Sequence, residues 1–210
     1  MAATTVHISS AGIYTPGTVE ISGPSLNGRY FSTVVKLGAD TGAGTFDLLA
    51  FCIDLFHPIS AGLNGQNPLN LNYFRAPFTT DNNGTAVSNA QARQIGGLAD
   101  LGFGIARGND PDKAVRLAAI QQAIWTIEYP TLSFVAGDTL SGQQAFANTY
   151  LALAPSLSKP ARVIYADNNA TQGFIISGVP EPTTWALLIV GFGMVGVAAR
   201  RGRGLAHVAA

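Results

Sequence analysis

From Trp185 to Ala199 fifteen consecutive residues carry no charge, and arginines follow at Arg200, Arg201 and Arg203. A run of that kind is not left facing water; it goes into a core, against a partner helix or into a bilayer. As a helix it measures about 22 Å, short of the roughly 30 Å hydrocarbon layer unless flanking residues join it. Pro180 and Pro182 ahead of it and the arginines behind it suit a brief membrane span better than a core helix. The arginines favour the cytoplasmic side, so the spacing predicts a body facing outward from the membrane. Trp185 falls where an interfacial aromatic is expected, and Gly191, Gly193 and Gly196 offer a small-residue face to an approaching helix. The alternative is an ordinary C-terminal anchor or a buried helix. The expected organisation is a body over 4–177, a linker with its Pro-Glu-Pro motif over 178–184, a transmembrane helix over 185–199 and a basic tail over 200–210.

The order Pro180-Glu181-Pro182, apolar segment with Trp185 and Gly191-Phe192-Gly193, then Arg200, Arg201 and Arg203, resembles the PEP-CTERM sorting signal of Gram-negative bacteria. The resemblance implies export, recognition and cleavage near the triplet by a membrane protease of the exosortase type, transient residence in the inner membrane, and delivery to the cell surface or its polysaccharide matrix. Export requires an N-terminal signal with a charged start and an apolar run, and MAATTVHISS has neither. A removed signal peptide ahead of Thr4 is therefore expected.

Composition limits what the body does. Only 11% of residues are charged and the formal net charge is zero, so no basic surface outside the tail is available to neutralise phosphates, and nucleic acid is not an expected partner. The single cysteine excludes a disulfide within the chain. With 24 glycines the chain suggests loops between strands. Runs over 29–37 and 45–53 read as strands joined by a hairpin through residues 39–44, and 60–84 as a long loop with one short strand near Tyr73 and Phe74. Helices are expected over about 86–101, weakened by Gly96-Gly97, over about 110–128 with Asp110 as cap and Pro111 at its first position, and over about 142–154 capped by Ser141. Strand character returns at 162–165 and 173–177. Strands, helices, then strands predict an α+β fold, an antiparallel β-sandwich or barrel with an inserted helical subdomain.

Two segments carry chemistry. Cys52 ends a strand in Phe51-Cys52-Ile53-Asp54, and Gln121 lies on the second helix in Ile120-Gln121-Gln122-Ala123-Ile124-Trp125. Together they resemble the thioester domain of bacterial surface adhesins, marked by an aromatic-Cys pair and a Thr-Gln-x-Ala-aliphatic-Trp motif. Ile120 stands where that motif has Thr. The resemblance implies an internal thioester between the Cys52 sulfur and the Gln121 side-chain carbonyl, formed with loss of ammonia and opened once by an amine. It also implies that Ala123, Ile124 and Trp125 complete the motif. Phe51 and Trp125 flank the reacting positions and would shield them from water. Helical spacing puts Leu117, Gln121, Ile124 and Glu128 on one face. Gln122 is the substitute partner if the helix is turned by one residue.

A buried, inert cysteine and an ordinary core helix account for the same residues. Cys52, Asp54 and His57 are metal-competent but lack a recognised zinc spacing, and Asp81-Asn82-Asn83-Gly84 and Asp110-Pro111-Asp112 lack a full calcium-ligand set. Tyr14, Tyr73 and Phe74 would make an aromatic platform for sugars if exposed. The expectation is a non-enzymatic surface protein needing no cofactor or metal. Its partners would be an exosortase and an amine-bearing surface, or exopolysaccharide if the cysteine is inert.

Overall fold

A computed structural model describes residues 5–13, 16–40, 44–57, 71–80, 84, 86–166, 172–177, 192 and 194. The linker 178–184, the basic tail and the expected membrane helix lie outside the described residues apart from Phe192 and Met194. Among the described residues no helix is long and apolar enough to cross a membrane.

The body is α+β. In chain order it runs β1 (Thr5–Ile13), β2 (Gly17–Ser22), β3 (Gly28–Ser32), β4 (Val35–Asp40), β5 (Thr45–Cys52), β6 (Leu71–Ala76), α1 (Asn89–Arg107), α2 (Lys113–Glu128), β7 (Ser133–Ala136), α3 (Gln143–Leu153), β8 (Val163–Ala166) and β9 (Phe174–Ile176). Six strands close an antiparallel barrel in the order β1-β4-β5-β9-β8-β6, and β3-β2-β7 form a separate small sheet. Period-two alternation decides which side chains fill the barrel: Val35, Leu37 and Ala39 on β4 and Leu48 and Ala50 on β5 are buried, while Lys36 between them is exposed. A bulge in β1 between Ile8 and Ser10 bends that strand into the closed ring.

The opposite face of β5 supports the helices. Phe51 and Ile53 join Val163 and Ile175 in one apolar cluster with Ile95, Leu98, Phe103, Leu117 and Ile120 of α1 and α2. Close approach is achieved through glycine: a Cβ on Gly102 would lie 2.5 Å from the Phe51 ring, which packs against Phe103 at 5.4 Å between ring centroids. Helix α2 is enclosed by α1, α3 and the small sheet as well as by this cluster. Everything from Leu117 to Trp125 is buried, so polar residues in that stretch must find partners inside the protein.

Several boundaries differ from the sequence reading for local reasons. The run 29–37 is two strands, because Val34 and Val35 are both buried and the chain passes there from the small sheet to the barrel. Strands β1, β2 and β7 were not anticipated. Helix α1 is longer than expected, starting from a capping box between Ser88 and Gln91 and running through Gly96-Gly97 to Arg107. Helix α2 begins at Lys113. Its cap position is Asp112 and not the expected Asp110, and Pro111 lies in the turn before it; there the Asp110 side chain accepts from the Asp112 N–H at 2.8 Å and its carboxylate pairs with Arg116. The residue before α3 is Gly142 at φ +83°, in place of the expected Ser141 cap. Tyr73 is wholly buried in β6, which removes it from any exposed aromatic platform.

Candidate functional site

The end of β5 is short of a partner strand. Toward β9, Ser177 N–H donates to Leu49 O and Ile53 N–H donates to Gly173 O. Alternation then turns the peptide groups of Cys52 the other way, toward β4, but β4 begins at Val35 opposite Ala50. Gln121 fills the missing place. The Cys52 N–H donates to Gln121 Oε1 at 2.8 Å, and Gln121 Nε2 donates to Cys52 O at 2.8 Å. The carboxamide thus pairs with Cys52 as a strand residue would, across 69 positions of sequence, with Gln121 fully buried.

Gln122 turns elsewhere. Its Nε2 donates to Phe134 O and Gln144 Oε1, and its Oε1 accepts from Gln143 Nε2, which also donates to Thr18 O. That network ties the small sheet to α2 and α3. Of the two adjacent glutamines, one is structural cement and the other meets the cysteine.

Cys52 and Trp125 line a pocket of about 160 Å³ at this end of the barrel, with Val35, Asp54 and the β3 residues Tyr30 and Phe31. Trp125 is 2% exposed and its indole N–H has no acceptor among the described residues. Phe51 does not line the pocket; it projects from the other face of β5 onto α1. Ala123 and Ile124 are buried among the helices.

The chain beyond Cys52 is held rigidly. Asp54 is completely buried, and its Oδ1 accepts from the Phe56 and His57 N–H groups at 3.0 and 3.1 Å, while its Oδ2 lies 2.8 Å from His57 Nδ1. Gln172 donates to Asp54 O and the Tyr129 hydroxyl donates to Ile53 O. Asp54 was visible in the sequence only as a weak metal candidate; its spacing to residues 56 and 57 is that of a side chain capping its own turn. Tyr30 and Phe31 had no signal linking them to Cys52. Among the described residues no three His, Cys, Asp or Glu side chains converge as a metal site.

Burial pushes the Cys52 thiol pKa up, and the charges of Asp54 and Glu128 push it further in the same direction. Burial does the same for the Tyr73 hydroxyl, with a smaller contribution from neighbouring Cys52. A folded chain with a free thiol therefore keeps a proton that the unfolded chain releases above the ordinary thiol value of 9.0. The stabilisation is fully present below that pH and is lost as pH rises, at up to about 1.4 kcal/mol per pH unit for one proton. Urea unfolding of the free-thiol protein and of Cys52→Ala across this range should diverge, the free-thiol protein falling more steeply; parallel curves would contradict a protonated buried thiol.

Residues 178–203 match the PEP-CTERM protein-sorting motif. The chain carries this C-terminal signal and is an exported protein sorted through the cell envelope by exosortase recognition. The match does not extend to the body. No curated protein and no solved structure matches the chain.

Proposed function

We propose that the body is a single-use covalent coupling module, in which Cys52 and Gln121 form an internal thioester that an amine on a target surface opens. The observation that carries this reading is the two-way pairing of the Gln121 carboxamide with Cys52 in a fully buried setting. The pairing is made to the backbone of Cys52, and it holds the Gln121 carbonyl at the only cysteine of the chain. The thiol adds to the Gln121 carbonyl carbon, the C–N bond breaks, and the thiol proton leaves with the nitrogen as ammonia. An amine later takes the acyl group, leaving an amide and a free Cys52 thiol. Nothing turns over, so the module is not an enzyme.

In this reading the sorting tail delivers the module: exosortase cleaves near Pro180-Glu181-Pro182, the body faces outward, and the target is an amine-bearing surface. A second reading, a non-covalent structural protein of the exopolysaccharide matrix, is favoured by one observation, the burial that holds the Cys52 thiol protonated and unreactive. Intact mass of the full chain before and after methylamine separates the two readings. A one-ammonia deficit that methylamine abolishes supports the thioester, and full mass throughout supports the inert cysteine.

A further inference from the structure

We infer that the Trp125 indole N–H acts with the Cys52 backbone N–H as the donor pair that stabilises the oxyanion when an amine opens the thioester, so that Trp125 sets the rate of coupling. The inference rests on the thioester reading above and adds a residue with a defined role to it.

Three observations lead there. Trp125 is 2% exposed, yet its N–H has no acceptor among the described residues, an arrangement that costs about 1–3 kcal/mol where phenylalanine or leucine would cost nothing. It follows Gln121 by four residues, one turn along the same face of α2, and lines the same pocket as Cys52. The other donor is already in place, with the Cys52 N–H 2.8 Å from Gln121 Oε1. One N–H engages the acyl oxygen, and a second, one helical turn beyond Gln121 and lining the pocket that Cys52 lines, has no acceptor among the described residues.

The reaction uses such a pair at one moment. The amine nitrogen bonds to the Gln121 carbonyl carbon and the C=O electron pair moves onto oxygen, where two N–H groups strengthen their bonds to the developing charge. Collapse restores C=O and breaks C–S with its electron pair on Sγ, and the proton from the amine nitrogen passes to that sulfur. No oxidant, metal or cofactor is consumed. Among the described residues the other buried side-chain donor without a partner, the Tyr73 hydroxyl, does not line the pocket and serves as a control.

The test uses the full chain and follows thioester loss by intact mass with methylamine and with hydroxylamine. Two variants remove the N–H: Trp125→Phe, and 3-benzothienylalanine placed at position 125, which keeps the indole shape and guards against a packing defect. Both are expected to retain the ammonia deficit and to open roughly 10²-fold more slowly, by the same factor for both nucleophiles. Tyr73→Phe is expected to open at the wild-type rate. An unchanged rate in the shape-matched variant overturns the inference, as does a slowing that differs between the nucleophiles, which would mark a change of pocket shape. A wild-type chain without an ammonia deficit overturns the thioester reading itself and this role with it.

Discussion

In a Cys52→Ala background, where no thioester forms, Gln121→Leu is expected to lower the free energy of unfolding by about 3 kcal/mol, since two buried peptide groups lose their partners at about 1–3 kcal/mol each. The direction is opposite to what burial of an apolar side chain would give. Position 121 is fully buried on an enclosed helix, so leucine would be welcome there if the glutamine were incidental. The Cys52 N–H and C=O are backbone groups and survive the alanine substitution, so the cost of Gln121→Leu isolates the clamp from any covalent chemistry. Urea denaturation of the two variants measures it. A neutral or stabilising Gln121→Leu would show that Cys52 does not depend on the carboxamide to complete the end of β5.

Gly97→Ala is expected to cost about 3 kcal/mol, at the upper end of overpacking penalties, with little loss of helix content. A Cβ at that position would lie 2.0 Å from Leu157 O and 2.5 Å from Leu157 C, and both are backbone atoms that cannot swing aside as a side chain would. Its neighbour Gly96 meets Lys159 O at 2.3 Å in the same way. The Gly96-Gly97 pair thus lets the 157–161 segment lie directly on α1, with the Lys159 N–H donating to Arg93 O at 3.1 Å. Thermal unfolding followed by far-ultraviolet circular dichroism tests the expectation. An unchanged midpoint would mean that the segment is free to move away.

The same glycines show where sequence reasoning stopped. On intrinsic propensity a Gly-Gly pair weakens a helix, and that is a sound prior for an isolated segment. What reversed it is a tertiary contact between residues some sixty positions apart, which no local pattern records. The antiparallel β-rich body with inserted helices was legible because alternation and punctuation are local. Strands β1 and β2 were missed because the Ser- and Gly-containing segments 5–13 and 17–22 lack the apolar runs that mark strands. Their pairing with β4, β6 and β7 supplies what local preference does not. At the site, the motif and helical spacing named Gln121 and kept Gln122 as the substitute partner. Rotation of the helix decides it, turning Gln122 toward α3 and the small sheet and Gln121 toward the place that β4 leaves vacant.

Asp54 illustrates a different limit. Beside Cys52 and His57 it is a metal-competent residue type without a recognised zinc spacing, and its two oxygens are occupied by the Phe56 and His57 N–H groups and the His57 ring. Its work is to fix the turn after Cys52, which keeps the cysteine registered against Gln121.

High-resolution intact mass of the full chain, purified without exposure to amines, bears most directly on whether Cys52 and Gln121 are joined. The account predicts wild-type protein lighter than its sequence by one ammonia, and Cys52→Ala and Gln121→Leu at their full sequence masses. Wild-type protein at its full sequence mass, with Cys52 alkylated stoichiometrically once unfolded, would contradict it.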